Sequence, residues 1–258
     1  FAKLPDSIAM HPATDLDALL KSVALCLPGL NGNVAPVRSD QLLCGGQGNQ
    51  ERIAALHDYW QHAHPEAGRH YWSTRCWTLL IWQPIYLSLL AAHLERRVPC
   101  LKRMGQSIQQ GFVGGFNLPP DCALCTGDRK LVENAAERLM NLLEHQLEEF
   151  NSVSTIYPKL ARLLIADCAR AALLLLQRHQ NLGNAQLREL EEQWLQALGL
   201  PGKSPLIEVS LDDGRQCLAL GRNACCQHFR RADGEPCAGC PRLKPAERLQ
   251  RFREELVC

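Results

Sequence analysis

The sequence predicts a mainly α-helical protein carrying one or two small β-hairpins and a C-terminal cysteine-rich module. Three observations carry this. Long stretches repeat their apolar residues at helical spacing. Two short stretches alternate instead and contain turn residues. Four cysteines crowd into positions 225 to 240 at the polar, proline-punctuated end.

Taken in order, Thr14 to Leu27 places Leu16, Leu19, Leu20, Val23 and Leu27 on one face behind a Thr/Asp cap, which predicts a first helix ended by "PGLNGN". Residues 28–49 are rich in Gly, Pro and Asn and read as loop, and a second helix is expected over Gln50 to His62. From Arg69, "RHYWSTRCWTLLIWQPIYLSLLAAHLERR" is apolar nearly all round, the mark of a central helix, with a kink expected near Pro84. Its run Cys76 to Ala92 approaches spanning length, but Gln83 and Pro84 interrupt it, so a buried core helix is expected and no stable membrane insertion. Leu101 to Pro120 has no helical stripe; its glycines suggest a hairpin turning at Gly114-Gly115.

Asp128 to Phe150, Thr155 to Gln180 and Asn184 to Leu198 are long periodic segments and predict helices. "PLIEVSLDDGRQCLALG" breaks that pattern and predicts a hairpin of Leu206 to Leu211 with Gln216 to Leu220, Asp212-Asp213 being turn chemistry. Pro245 to Leu256 reads as a closing amphipathic helix. The division expected is a helical domain over 1–203 and a cysteine module over 204–258.

The chain has 258 residues, 46% apolar and 21% charged, enough for a sizeable core. Its net charge of +1 supplies no global field to draw it to nucleic acid or anionic lipid. Thirteen cysteines in an odd count, two of them adjacent, fit a reducing compartment better than a disulfide framework. With no signal-peptide pattern after Phe1, a cytoplasmic location is expected.

In "CCQHFRRADGEPCAGCPRL", Cys225 and Cys226 are followed by ten residues, then Cys237, two residues and Cys240. A two-residue spacer lets both sulfurs of Cys237 and Cys240 meet one metal centre. Adjacent Cys225 and Cys226 are harder to bring to one tetrahedral zinc, because successive extended residues point to opposite sides. Two irons spread the ligand positions, which favours iron-sulfur and leaves zinc as the alternative.

The stretch resembles the C-terminal signature of the FhuF family of ferric-siderophore reductases: C-C, ten residues, C-x-x-C and a following Pro, here Cys225, Cys226, Cys237, Cys240 and Pro241, with Phe229 and Arg230 between. The resemblance implies a 2Fe-2S cluster on the four thiolates and one-electron reduction of Fe(III) in a siderophore, the hydroxamate type first, with siderophore binding in the region 1–203 and Fe(II) released in the cytoplasm. Hard oxygen donors hold Fe(III) more tightly than Fe(II), so one electron loosens the chelate. No G-x-G-x-x-G follows a strand, so electrons are expected from a separate donor protein such as a ferredoxin or an NAD(P)H-dependent reductase. The alternatives are a non-enzymatic binding protein with structural zinc on the same four cysteines and an iron-sulfur redox sensor.

Other residues admit plainer readings. Cys122 and Cys125 form a second C-x-x-C without a matching pair and read as loop thiols, Cys76 and Cys168 as small core residues, and Cys258 as free. His57, His62, His64 and His70 lack metal spacing. Trp72, Trp77 and Trp82 are core candidates, with Trp72 and Trp82 also candidates for a siderophore wall. Arg230, Arg231 and Arg242 flank the ligands and are candidates for docking an acidic donor or an anionic siderophore.

Overall fold

The fold was examined in a computed structural model that describes residues 12–126, 130–200 and 202–256. It is mainly helical with small sheets. The helices are α1 (Pro12–Cys26), α2 (Asn49–Ala63), α3 (Gly68–Leu94), α4 (Leu131–Asn151), α5 (Pro158–Gln180), α6 (Asn184–Ala197) and α7 (Pro245–Leu256). The strands are β1 (Gly32–Val34), β2 (Leu42–Leu43), β3 (Arg97–Pro99), β4 (Gly105–Gln109), β5 (Phe112–Leu118), β6 (Leu124–Thr126), β7 (Leu206–Ser210) and β8 (Gln216–Leu220).

α3 is the axis of the molecule. It is apolar on every side because it packs against α1, α2, α4 and α5 at once, and Trp77, Leu80, Ile81, Ile85, Leu87 and Leu90 are fully buried. The segment Pro65–Leu94 is long and apolar enough to cross a membrane by length and composition, and 72% of the window that passes is buried inside the protein. α4 shows the opposite pattern, an apolar stripe of Leu131, Ala135, Leu139, Leu142, Leu143 and Phe150 against α3 with a charged outer face.

Pro84 sits inside α3, which continues as helix through it. A proline has no N–H to give the carbonyl four residues back. The Leu80 carbonyl thus freed accepts instead from Gln106 Nε2 of β4 at 3.0 Å, and the same amide reaches Gln83 Oε1 at 3.1 Å. Gln146 Nε2 of α4 closes the network by donating to Gln106 Oε1 at 2.8 Å. The side chains of Gln83, Gln106 and Gln146 are all buried.

More sheet is present than the sequence suggests. β1, β5, β4 and β2 form a four-stranded sheet in that order, with β1 parallel to β5 and the other pairings antiparallel. Its outer strands come from residues 28–49, expected as loop; at three and two residues they are too short to show alternation. β3 and β6 form a further antiparallel pair.

The hairpin expected to turn at Gly114-Gly115 turns at Gln110-Gly111, where φ is 47° and 75°. Positive φ at both central residues is what a tight two-residue hairpin turn requires. Gly114 and Gly115 lie within β5. A Cβ on Gly111 would sit 1.9 Å from the Tyr59 ring, so that site excludes a side chain as well as straining it. Gly111→Ala is expected to destabilise the fold by roughly 1–3 kcal/mol, read as a lowered melting temperature, while Gly29→Ala, where an added Cβ meets nothing within 4 Å, changes it little. Equal melting temperatures for the two would remove this account of the turn.

The C-terminal hairpin is close to its expected place: β7 pairs antiparallel with β8 from Leu206↔Leu220 to Ser210↔Gln216. Val209, Leu211, Ala219, Ala238 and Phe252 of α7 form a small core of their own, whereas Leu206, Leu218 and Ala224 belong to the main core. The alternating residues of one hairpin thus serve two cores.

Candidate metal centre

The cysteine loop is fastened to the helical body at several points. Beyond β8, the Arg222 N–H donates to the Gly239 carbonyl at 3.0 Å, laying the two cysteine-bearing ends side by side. A Cβ on Gly239 would stand 2.2 Å from the Leu220 carbonyl oxygen, so glycine is required there for close backbone approach. Asp167, buried on α5, accepts from the backbone N–H groups of Ala224 at 3.1 Å and Asn223 at 3.4 Å, immediately before Cys225. Farther on, Glu66 Oε1 accepts from the Ala232 N–H at 3.0 Å, and Arg251 of α7 donates to the Pro236 carbonyl at 2.6 Å.

Cys225, Cys226, Cys237 and Cys240, all free thiols, come near one another, and Cys226 is influenced most by Cys237. Gln227 has φ of 59°, and its left-handed turn aims successive N–H groups at the sulfurs, that of Gln227 at Cys225 and that of His228 at Cys226. The neighbouring Cys237 thiol lowers the pKa of Cys226, aided by the His228 N–H and the Arg222 charge against the effect of burial. Cys237 is raised by its Cys226 neighbour and by burial, and Cys225 is raised by burial. The Cys240 N–H closes the C-x-x-C turn on the Cys237 carbonyl at 2.9 Å. Among the described residues no group of three or more His, Cys, Asp or Glu side chains is gathered as for one metal ion.

Positive charge surrounds this loop. Arg222 acts on both Cys226 and Cys237. Arg75 of α3 stacks on Trp60 at 4.6 Å, feels the charges of Tyr71, Cys226 and Arg231, and has an Nε without a hydrogen-bond partner among the described residues. Burial lowers the pKa of Arg75 from its ordinary value.

Arg230, Arg231 and Arg242 also lie about the loop, engaged locally. Arg230 donates to Gln227 Oε1 at 2.9 Å, Arg231 pairs with Asp233, and Arg242 stacks on Phe229 at 4.3 Å. The tryptophans lie elsewhere: the Trp72 indole donates to the His64 carbonyl and the Trp82 indole to the Val113 carbonyl, each anchoring α3 to a neighbouring segment. Arg75, Asp167 and Arg222 escaped the sequence reading. Only Arg222, three residues before Cys225, carried a local signal.

The remaining thiols are of a different kind. Burial pushes Cys76 and Cys168 up to about 12 and Cys122 up to about 11, so these three stay protonated and behave as small apolar groups. Cys125 meets Arg138, and Cys258 lies outside the described residues.

Four soft sulfur donors near one another, with backbone N–H groups directed at two of the sulfurs, are a donor set that suits a 2Fe-2S cluster and equally a tetrahedral zinc. The chain matches no protein-family model.

Proposed function

We propose that this protein is a one-electron reductase of Fe(III) held in a siderophore, with Cys225, Cys226, Cys237 and Cys240 holding a 2Fe-2S cluster. The observation that carries the reading is the nearness of the four thiols, with the Gln227 and His228 N–H groups directed at Cys225 and Cys226. The C-C, ten-residue, C-x-x-C resemblance to ferric-siderophore reductases supports it. When bound, the cluster supplies one reversible electron.

The chain's own residues set the conditions for that electron. Each added electron adds negative charge at the sulfurs, and the two N–H donors with Arg222 and Arg75 stabilise it, raising the potential relative to a bare thiolate site. One electron passed to Fe(III) gives Fe(II), whose chelate by hard oxygen donors is weaker, so the iron exchanges to other ligands. A separate electron-donor protein returns the electron.

Anaerobically purified protein is expected to be red-brown, to bleach on dithionite with appearance of a reduced-cluster EPR signal, and to be reoxidised by a ferric siderophore with one Fe(II) formed per cluster. A colourless protein loaded with zinc would overturn the reading in favour of a structural staple. A bleachable protein inert to ferric siderophores would leave a redox sensor in its place.

A further inference from the structure

A cleft of about 820 Å³ opens between α5, β8 and the C-terminal end of α7, and Cys237, Ala238 and Gly239 form part of its wall. This size falls within the range of small-molecule sites, roughly 300–1,000 Å³. Its floor is apolar, with Leu174, Leu175, Leu218 and Phe252 among its residues. A ligand seated here would lie against the backbone that carries one of the four cysteines.

The charged groups of the lining are Arg178, Arg215, Arg222 and Glu255. Arg178 and Arg222 both line the cleft and neither makes a side-chain hydrogen bond or ion pair among the described residues, but the charge of Arg222 already acts on Asp167, Cys226 and Cys237, which leaves Arg178 as the guanidinium free for an occupant. Tyr86 stands between their fields: both arginine charges act on its phenol, which burial raises well above the usual tyrosine value and so keeps protonated as a hydrogen-bond donor. Arg215 also lines the cleft but is matched by Asp213 at 2.6 Å, and Glu255 supplies one negative charge. The free guanidinium of Arg178, with Arg222 shared with the cysteine loop and a phenol beside them, favours an occupant with oxygen anions around a bulky body. A docking protein needs a broad, flat surface; this site is concave.

We infer that this cleft is the substrate site and that it takes ferric chelates of net negative charge, with catecholate or carboxylate donors. The neutral hydroxamate complexes expected from the sequence would leave Arg178 without a partner. The inference rests on the reductase reading for the occupant being a ferric chelate, while the cleft's preference for an anionic chelate can be measured independently of the cluster.

Gallium(III) replaces Fe(III) with the same charge and similar size and accepts no electron under these conditions. Binding to the full-length protein is therefore measured by calorimetry with two probes: a gallium complex of a hexadentate tris-catecholate and one of a neutral hexadentate tris-hydroxamate. The anionic probe is expected to bind the tighter. Arg178→Gln, on an exposed position of α5, is expected to weaken it about tenfold and the neutral probe less than twofold. Ala171→Phe, which fills the cleft from the same helix, is expected to weaken both, with far-ultraviolet circular dichroism unchanged in each variant. Equal affinity for the two probes, or binding indifferent to both substitutions, overturns the inference, including the case where the arginines serve an acidic donor protein. A colourless protein that nonetheless shows this gallium selectivity would defeat the reductase reading alone.

Discussion

Cys237→Ser is expected to lose the red-brown colour of the proposed cluster, with iron and sulfide per chain falling at least about tenfold, since even changes one shell beyond a metal ligand weaken binding by roughly 10–100-fold. The Cys237 thiol neighbours those of Cys226 and Cys240, so its removal takes one of the four sulfurs from the set. Helicity should be retained. The cores formed by α3, α4 and α5 and by Val209, Leu211, Ala219, Ala238 and Phe252 contain no part of the Cys237 side chain. Iron and sulfide analysis beside far-ultraviolet circular dichroism separates the two effects. A variant that keeps a normal cluster would remove Cys237 from the proposed ligand set.

Arg170→Met acts on the fold, and its effect on stability is expected to be the largest of any substitution considered. Arg170 of α5 is 3% exposed and reaches Glu191 of α6 at 2.6 Å and Asp167 at 3.7 Å. Glu191 accepts in addition from Ser204 at 2.6 Å, and Asp167 holds the backbone before Cys225. Removing the cation leaves Glu191 and Asp167 buried without it, and breaking such a pair destabilises by about 3–5 kcal/mol. For a chain of this length that is a melting temperature lower by roughly 6–20 °C. Arg170→Met combined with Glu191→Leu should recover part of the loss, because an apolar pair is tolerated where a single buried charge is not. A melting temperature of the single variant within about 2 °C of the parent would show that the ions contribute nothing beyond packing.

What could be read without coordinates divides along sequence distance. Helix ends agree with the periodicity to within a few residues, and α7 matches it at both ends, because apolar spacing and flanking prolines are local signals. The four cysteines were legible for the same reason. The turn at Gln110-Gly111 was not: the glycine pair at 114 and 115 is the stronger local signal, and what fixes the turn is the Tyr59 ring from α2. Asp167 joins the loop across 57 residues to Ala224, and Arg75 acts on Cys226 from α3, so neither is marked by its neighbours in sequence. Arg178 looks like any solvated helix arginine until the C-terminal module is folded beside it.

The proline in α3 bears on how the chain finds its one topology. A helix whose carbonyls are all satisfied offers a strand no preferred height at which to cross it, and apolar packing alone tolerates sliding. Pro84 leaves the Leu80 carbonyl open, and Gln106, tied also to Gln83 and Gln146, is the side chain that meets it. Slipping β4 by one position would bring Gly105 or Ser107 to that carbonyl and strand three buried amides. The residue that breaks the helix ladder thus works as an alignment mark, choosing one crossing of sheet and helix among many of similar apolar area.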